Sequence, residues 1–194
     1  ISLSRVSREA RACRLCEKTL PQEPKPVFLV GRSARLLIVG QAPGRRVHET
    51  GIPWNDPSGE VLREWLALGR EAFYDTSRIA IVPAGLCYPG TVNGADLPPC
   101  KECAPLWQPR FRAALPDVRL TLLVGSYAQA YYLGNSRKKT LGETVGAYRR
   151  YLPAFCLAMA CGVATAHDLP GVPEAYTVRV FADRPERPLG LSFG

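Results

Sequence analysis

Three short runs of nearly unbroken apolar residues punctuate the chain: 35–40 (RLLIVG), 78–82 (RIAIV) and 120–125 (LTLLVG). Runs of this length, rich in Leu, Ile and Val, suit strands covered on both faces. The segments between them alternate with helical spacing. Ser58 can cap a helix over 59–68 that buries Val61, Leu62, Trp65 and Leu66, and further helices are expected over 100–115, 126–133 and 141–152. Strands alternating with helices predict an α/β fold, specifically a three-layer α/β/α sandwich around a central, mostly parallel four-stranded sheet. The fourth strand is expected within 155–165, and 177–181 (TVRVF) offers a further one. Residues 88–99, rich in Gly, Pro and Asn, read as a loop. In such folds ligands gather at the carboxyl ends of the strands, where the two most unusual loops of this chain begin.

A chain of 194 residues that is 46% hydrophobic can bury one sizeable core, so residues 1–194 are read as a single domain. The formal net charge of +8 suits a polyanionic partner such as nucleic acid, and Arg outnumbers Lys, which favours bidentate phosphate contacts. No apolar run approaches the roughly 20 residues needed to span a bilayer, and no secretory h-region opens the sequence. A soluble, cytoplasmic monomer that binds no membrane is therefore expected. Seven cysteines, an odd number, argue for a metal or cluster site over a disulfide framework.

Cys13 and Cys16 form a C-x-x-C pair after a short basic helix, and Cys87 and Cys103 lie far downstream. Four thiolates from one turn and two distant loops can close around an iron-sulfur cluster; a zinc ion would satisfy the same ligand count. Cys100 competes with Cys103 as the fourth ligand, and Cys156 and Cys161 read as core residues. The first apolar run leads directly into Gly40-Gln41-Ala42-Pro43-Gly44, then Arg45-Arg46-Val47-His48, and then Gly51-Ile52-Pro53-Trp54-Asn55-Asp56-Pro57-Ser58-Gly59. A Gly- and Pro-rich turn at a strand end lets backbone approach a flat ligand, and a following aromatic can stack on it. Arg45 and Arg46 read as phosphate clamps.

Together these features resemble the uracil-DNA glycosylase superfamily over about residues 8–152. The closest likeness is to its iron-sulfur branches, whose first motif reads G-[EQL]-A-P-G followed by G-x-P-[FW], with cysteines in the register of Cys13, Cys16, Cys87 and Cys103. The segment 120–134 is similar to the strand and helix that precede the second motif. The resemblance implies a [4Fe-4S] cluster on those four cysteines and uracil-containing or otherwise deaminated DNA as partner. It further implies hydrolysis of the N-glycosidic bond of uracil, the first step of base-excision repair. An enzyme of this kind must swing the nucleotide out of its helix.

Under this likeness Trp54 is the aromatic that stacks on the base, and Gly40, Gln41 and Ala42 surround it. The acid that the family carries at one of the two positions after Gly40 is absent. Asp56, in a segment similar to the D-x-S-G of one branch, is the substitute that orients water, while Gln41 and His48 are further catalytic candidates. Pro83 stands where relatives place a base-reading asparagine, so backbone groups of 83–86 are expected to select the base, extending the range to hypoxanthine or xanthine. The His-Pro-Ser second motif is missing, and only His167 with Leu169 offers a replacement. A catalytically weak protein that binds uracil or abasic DNA is the alternative.

Overall fold

The computed structural model describes residues 1–151, which fall into two compact units, 1–136 and 137–151. In chain order the elements are α1 (Leu3–Arg11), β1 (Leu36–Val39), α2 (Arg45–Thr50), α3 (Pro57–Trp65), α4 (Arg70–Tyr74) and β2 (Ile79–Ile81). There follow β3 (Thr91–Val92), β4 (Ala95–Asp96), α5 (Cys103–Ala114), β5 (Leu120–Leu123), α6 (Ser126–Leu133) and α7 (Leu141–Gly146).

The three apolar runs become the three strands of a parallel sheet in the order β2-β1-β5, with Leu36 opposite both Ile79 and Leu120. Alternation along each strand sends side chains to two separate cores. Leu37, Val39, Ala80 and Val82 join Phe28, Trp107 and Phe111 in one; Ile38, Ile79 and Ile81 join Leu62 of α3 and Phe73 of α4 in the other. Because both faces are covered, the strands read as apolar throughout, which is the signal that located them. On the outer side of β2, Leu29 and Ile81 exchange backbone hydrogen bonds in both directions, at 2.9 and 2.6 Å.

The chain leaves β1 for α3 and α4 against the second core, and leaves β2 for α5 against the first. The two connections thus part to opposite faces, and a crevice opens at the carboxyl ends of β1 and β2.

Several expectations need correction. Residues 45–50, read as part of a long loop, form α2, because Val47 is buried and Gly51 in the left-handed region (φ 70°) ends the turn. The cap of the next helix is Asp56 and not Ser58: its Oδ1 accepts from the Gly59 N–H at 2.8 Å, and Pro57 fills the first helical position. Residues 88–99 are not simply a loop, since β3 and β4 pair as a tight hairpin about Asn93 and Gly94. The helix expected over 100–115 starts at Cys103, and α7 ends at Gly146, with a separate helical turn over Tyr148–Arg150. A capping box, Thr140 with Glu143, starts α7. The fourth strand expected within 155–165, the strand at 177–181, Cys156, Cys161, His167 and Leu169 lie outside the described residues.

Gly59 sits under the preceding turn. A Cβ built there would lie 1.8 Å from the Trp54 carbonyl oxygen, a backbone atom that cannot step aside. Gly59→Ala is expected to destabilise the protein by about 1–3 kcal/mol, the range for overpacking. Thermal unfolding checks this; an unchanged midpoint would show that the 54–59 turn is not held as described.

Candidate functional site

The crevice is a cavity of about 450 Å³, counting its open mouth. Gly40, Gln41 and Ala42 line it from the end of β1, Pro83 from the end of β2, and Trp54 and Asp56 from the turn before α3. Of the residues singled out in the sequence, Gly40, Gln41, Ala42, Trp54 and Asp56 are therefore brought together. Arg45 and Arg46 are exposed on neighbouring α2, and His48 is half-buried on the same helix.

Trp54 is half-buried, packed against the second core on one side and facing the cavity on the other. Its φ of 56° places it in the left-handed region, which is costly for a bulky residue. Three hydrogen bonds from α3 and α4 hold that turn. Arg63 donates to the Trp54 carbonyl at 3.1 Å, the Tyr74 hydroxyl donates to the Pro53 carbonyl at 2.8 Å, and Arg70 donates to Asn55 Oδ1 at 2.9 Å. The indole lies directly against Gly40, where a Cβ would come within 2.8 Å of its Cζ2. None of these clamping residues was singled out in the sequence, since their partners lie 9 to 21 positions away.

Burial pushes the Asp56 carboxyl above its ordinary value, against the opposing effects of the Gly59 N–H and of Arg46 and Arg63. Gln41 donates its side-chain amide to the Leu97 carbonyl at 3.4 Å, which ties the first loop to the base of the β3–β4 hairpin. Part of the backbone over 83–86, expected to select the base, is engaged within the protein. Buried Gln108 donates to the carbonyls of Val82 and Pro83 at 3.1 and 2.9 Å, and the N–H groups of Ala84 and Gly85 reach the carbonyls of Gly40 and Gln41. The Tyr132 hydroxyl completes the relay by donating to Gln108 Oε1 at 2.7 Å.

A second cavity, of about 370 Å³ counting its mouth, is lined by five cysteines: Cys13, Cys16, Cys87, Cys100 and Cys103. All five are unpaired. The Leu86 N–H donates to Cys103 Sγ at 3.3 Å, and the Cys100 thiol donates to Glu102 at 2.9 Å. Burial pushes the Cys87 thiol up to about 11 and that of Cys103 to about 12, and raises Cys16 further, with neighbouring Cys100 adding to the effect. Trp107, only 4% exposed, also lines this cavity, and its buried Nε1 has no hydrogen-bond partner. The thiols surround a space and do not converge on one point: among the described residues, no three or more His, Cys, Asp or Glu side chains are grouped to hold a metal ion. Likewise, no helix among the described residues is long and apolar enough to cross a membrane.

The His48 ring lies 5.8 Å from the Tyr88 ring, and its buried Nδ1 has no partner. Desolvation, followed by the charge of Lys25, lowers its pKa from the usual 6.5. The folded state thus favours neutral imidazole. Its contribution to stability is present above pH 6.5 and is lost as the pH falls through the folded value. His48→Gln is expected to flatten the stability–pH profile below pH 6.5, measured as the unfolding midpoint against pH; a profile parallel to the parent's would remove His48 from the account.

The family model of the uracil DNA glycosylase superfamily matches residues 26–182, and the chain belongs to that superfamily.

Proposed function

We propose that this member of the superfamily hydrolyses the N-glycosidic bond of uracil in DNA, and that the crevice at the ends of β1 and β2 receives the extruded base. The observation that carries the reading is the meeting of an indole, a carboxylate and a Gly-rich strand end around one cavity of about 450 Å³. Superfamily membership supports glycosylase action on DNA in general. The finer assignments rest on the chemistry of the residues.

A base stacked on Trp54 would gain about 1–3 kcal/mol from the aromatic contact. As the glycosidic bond breaks, positive charge develops on the sugar and negative charge on the departing base. Asp56 is suited to orient water toward the sugar carbon and to offset the positive charge. Water oxygen then bonds to that carbon, its proton is released, and the base leaves with the bonding electron pair. Arg45 and Arg46, exposed beside the cavity, are suited to phosphate contacts. A wider base range, to hypoxanthine or xanthine, would draw on the backbone groups of 83–86 outside the bonds to Gln108, Gly40 and Gln41.

For the second cavity we propose a [4Fe-4S] cluster held by Cys13, Cys16, Cys87 and Cys103. Thiolates are its ligands, backbone N–H donation to sulfur as at Cys103 is usual around it, and an unpartnered indole N–H suits acceptor sulfides. A multi-atom cluster is held from the walls of a space. Its contribution when bound would be structural, joining the segment after α1 to both flanks of the β3–β4 hairpin. Cys100, engaged with Glu102, is the fifth thiol and the alternative fourth ligand.

One observation favours a weakly catalytic, uracil- or abasic-DNA-binding protein instead. Asp56 already spends Oδ1 on the helix cap, and no carboxylate stands at positions 41 or 42.

Asp56→Asn separates the two readings, because asparagine also caps helices well and preserves the fold. Base release from a uracil-containing duplex is expected to fall on the order of 100-fold or more, with DNA binding nearly unchanged. Equal release by variant and parent would discard the catalytic role, and a parent that retards uracil DNA in a gel without releasing base would establish the binder. Cys13→Ser is expected to abolish the broad visible absorbance of a cluster in freshly purified protein. Full iron and sulfide content in that variant would remove Cys13 from the ligand set.

A further inference from the structure

The β3–β4 hairpin is not used by the chemistry above, yet it is built as a stiff projection beside the cavity. Its two-residue turn places Asn93 (φ 52°) and Gly94 (φ 80°) both in the left-handed region, the geometry that matches the twist of paired strands. The base is bonded closed by the Leu97 N–H to the Gly90 carbonyl at 2.8 Å. The Leu97 carbonyl accepts from Gln41, which lines the cavity, and the Arg45 guanidinium lies near the Tyr88 phenol at the other foot. The hairpin is thereby fixed to the cavity rim.

Its exposed surface carries two large apolar side chains. Val92 is 53% exposed and Leu97 38%, and neither belongs to either core. The single ionisable carboxylate between residues 88 and 97 is Asp96, which pairs with Thr91 on the face of the hairpin opposite Val92, accepts from Thr91 at 2.9 Å and lies near Arg45. Thr91 is in turn bonded to the Tyr88 hydroxyl. The face that carries Val92 and Ala95 therefore offers apolar side chains and no carboxylate of the hairpin, next to exposed arginines on a chain of net charge +8. Such a surface fits the apolar faces of a base stack framed by phosphates.

We propose that the β3–β4 hairpin contacts duplex DNA beside the extruded nucleotide, with Val92 packing against the base stack at the gap that extrusion leaves. The proposal rests on the reading of the crevice as the base site, but its test does not depend on turnover. Removing a nucleotide from a stack exposes the flat faces of its neighbours, and covering them with a branched apolar side chain restores buried area that water would otherwise hold.

The experiment uses a duplex with 2-aminopurine next to a stable abasic-site analogue, titrated with the full chain. Parent protein is expected to change the 2-aminopurine emission on saturation. Val92→Ser is expected to lose more than half of that change and to bind roughly tenfold more weakly, whereas Val92→Leu retains both. An equal emission change for Val92→Ser and the parent overturns the proposal, as does no change for the parent at saturation. A Val92-dependent self-association seen by sedimentation without DNA, absent in Val92→Ser, would assign the hairpin to a second copy of the chain and also overturn it. Base release from uracil DNA by the parent, measured separately, decides the proposed function and leaves the emission result standing on its own.

Discussion

The site depends on one steric constraint: a tryptophan held in the left-handed backbone region between two glycines. Trp54 meets Gly40 with its indole and Gly59 with its carbonyl, and neither position has room for a Cβ without displacing it. A bulky residue with positive φ costs about 1–3 kcal/mol and persists only where its surroundings over-determine it. Here the hydrogen bonds from Arg63, Tyr74 and Arg70 supply that determination. The second core behind the indole, built on Ile38, Leu62 and Phe73, makes the arrangement rigid. The aromatic surface is thus fixed before any ligand arrives, so a base stacking there would lose little further protein entropy.

Asp56 both caps a helix and faces the cavity in this turn. One oxygen starts α3, and the same carboxylate sits where burial raises its pKa while Arg46 and Arg63 pull the other way. The raised value favours the protonated form in the fold. Its stabilising contribution is complete below the ordinary 3.8 and is lost as the pH rises through the folded value. A carboxylate whose ionised form is disfavoured by burial and that lines a cavity is a candidate functional position.

What the sequence made legible follows from which interactions are local. The three strands were visible because a doubly covered strand is apolar at every position, and the spacing from Gly40 to Asp56 marked the cavity wall because those residues sit on one continuous segment. Four thiols could be suspected of meeting from their spacing, with Cys100 and Cys103 competing for the fourth place, and all five line one cavity. Hidden from view were the clamps. Gln108 reaches Pro83, just beyond β2, across 25 positions, and Tyr132 reaches Gln108 across 24, by contacts that no local pattern announces. The Asn93-Gly94 turn was a readable hairpin signal, but strands of two residues are too short to alternate, and the Pro and Gly around them read as loop. Asp56 outcompeted Ser58 as the cap because Pro57 fits the first helical position, a rule that the apolar pattern alone does not express.

The bridge between Leu29 and Ile81 has a bearing on how the protein behaves in a crowded cell. A strand made only of isoleucine and alanine, left with an open margin, would template pairing with other chains and seed aggregation. Residues just after the start of the family match close that margin of the sheet with the chain's own backbone. The short segment around Leu29 therefore acts as a guard rail along β2.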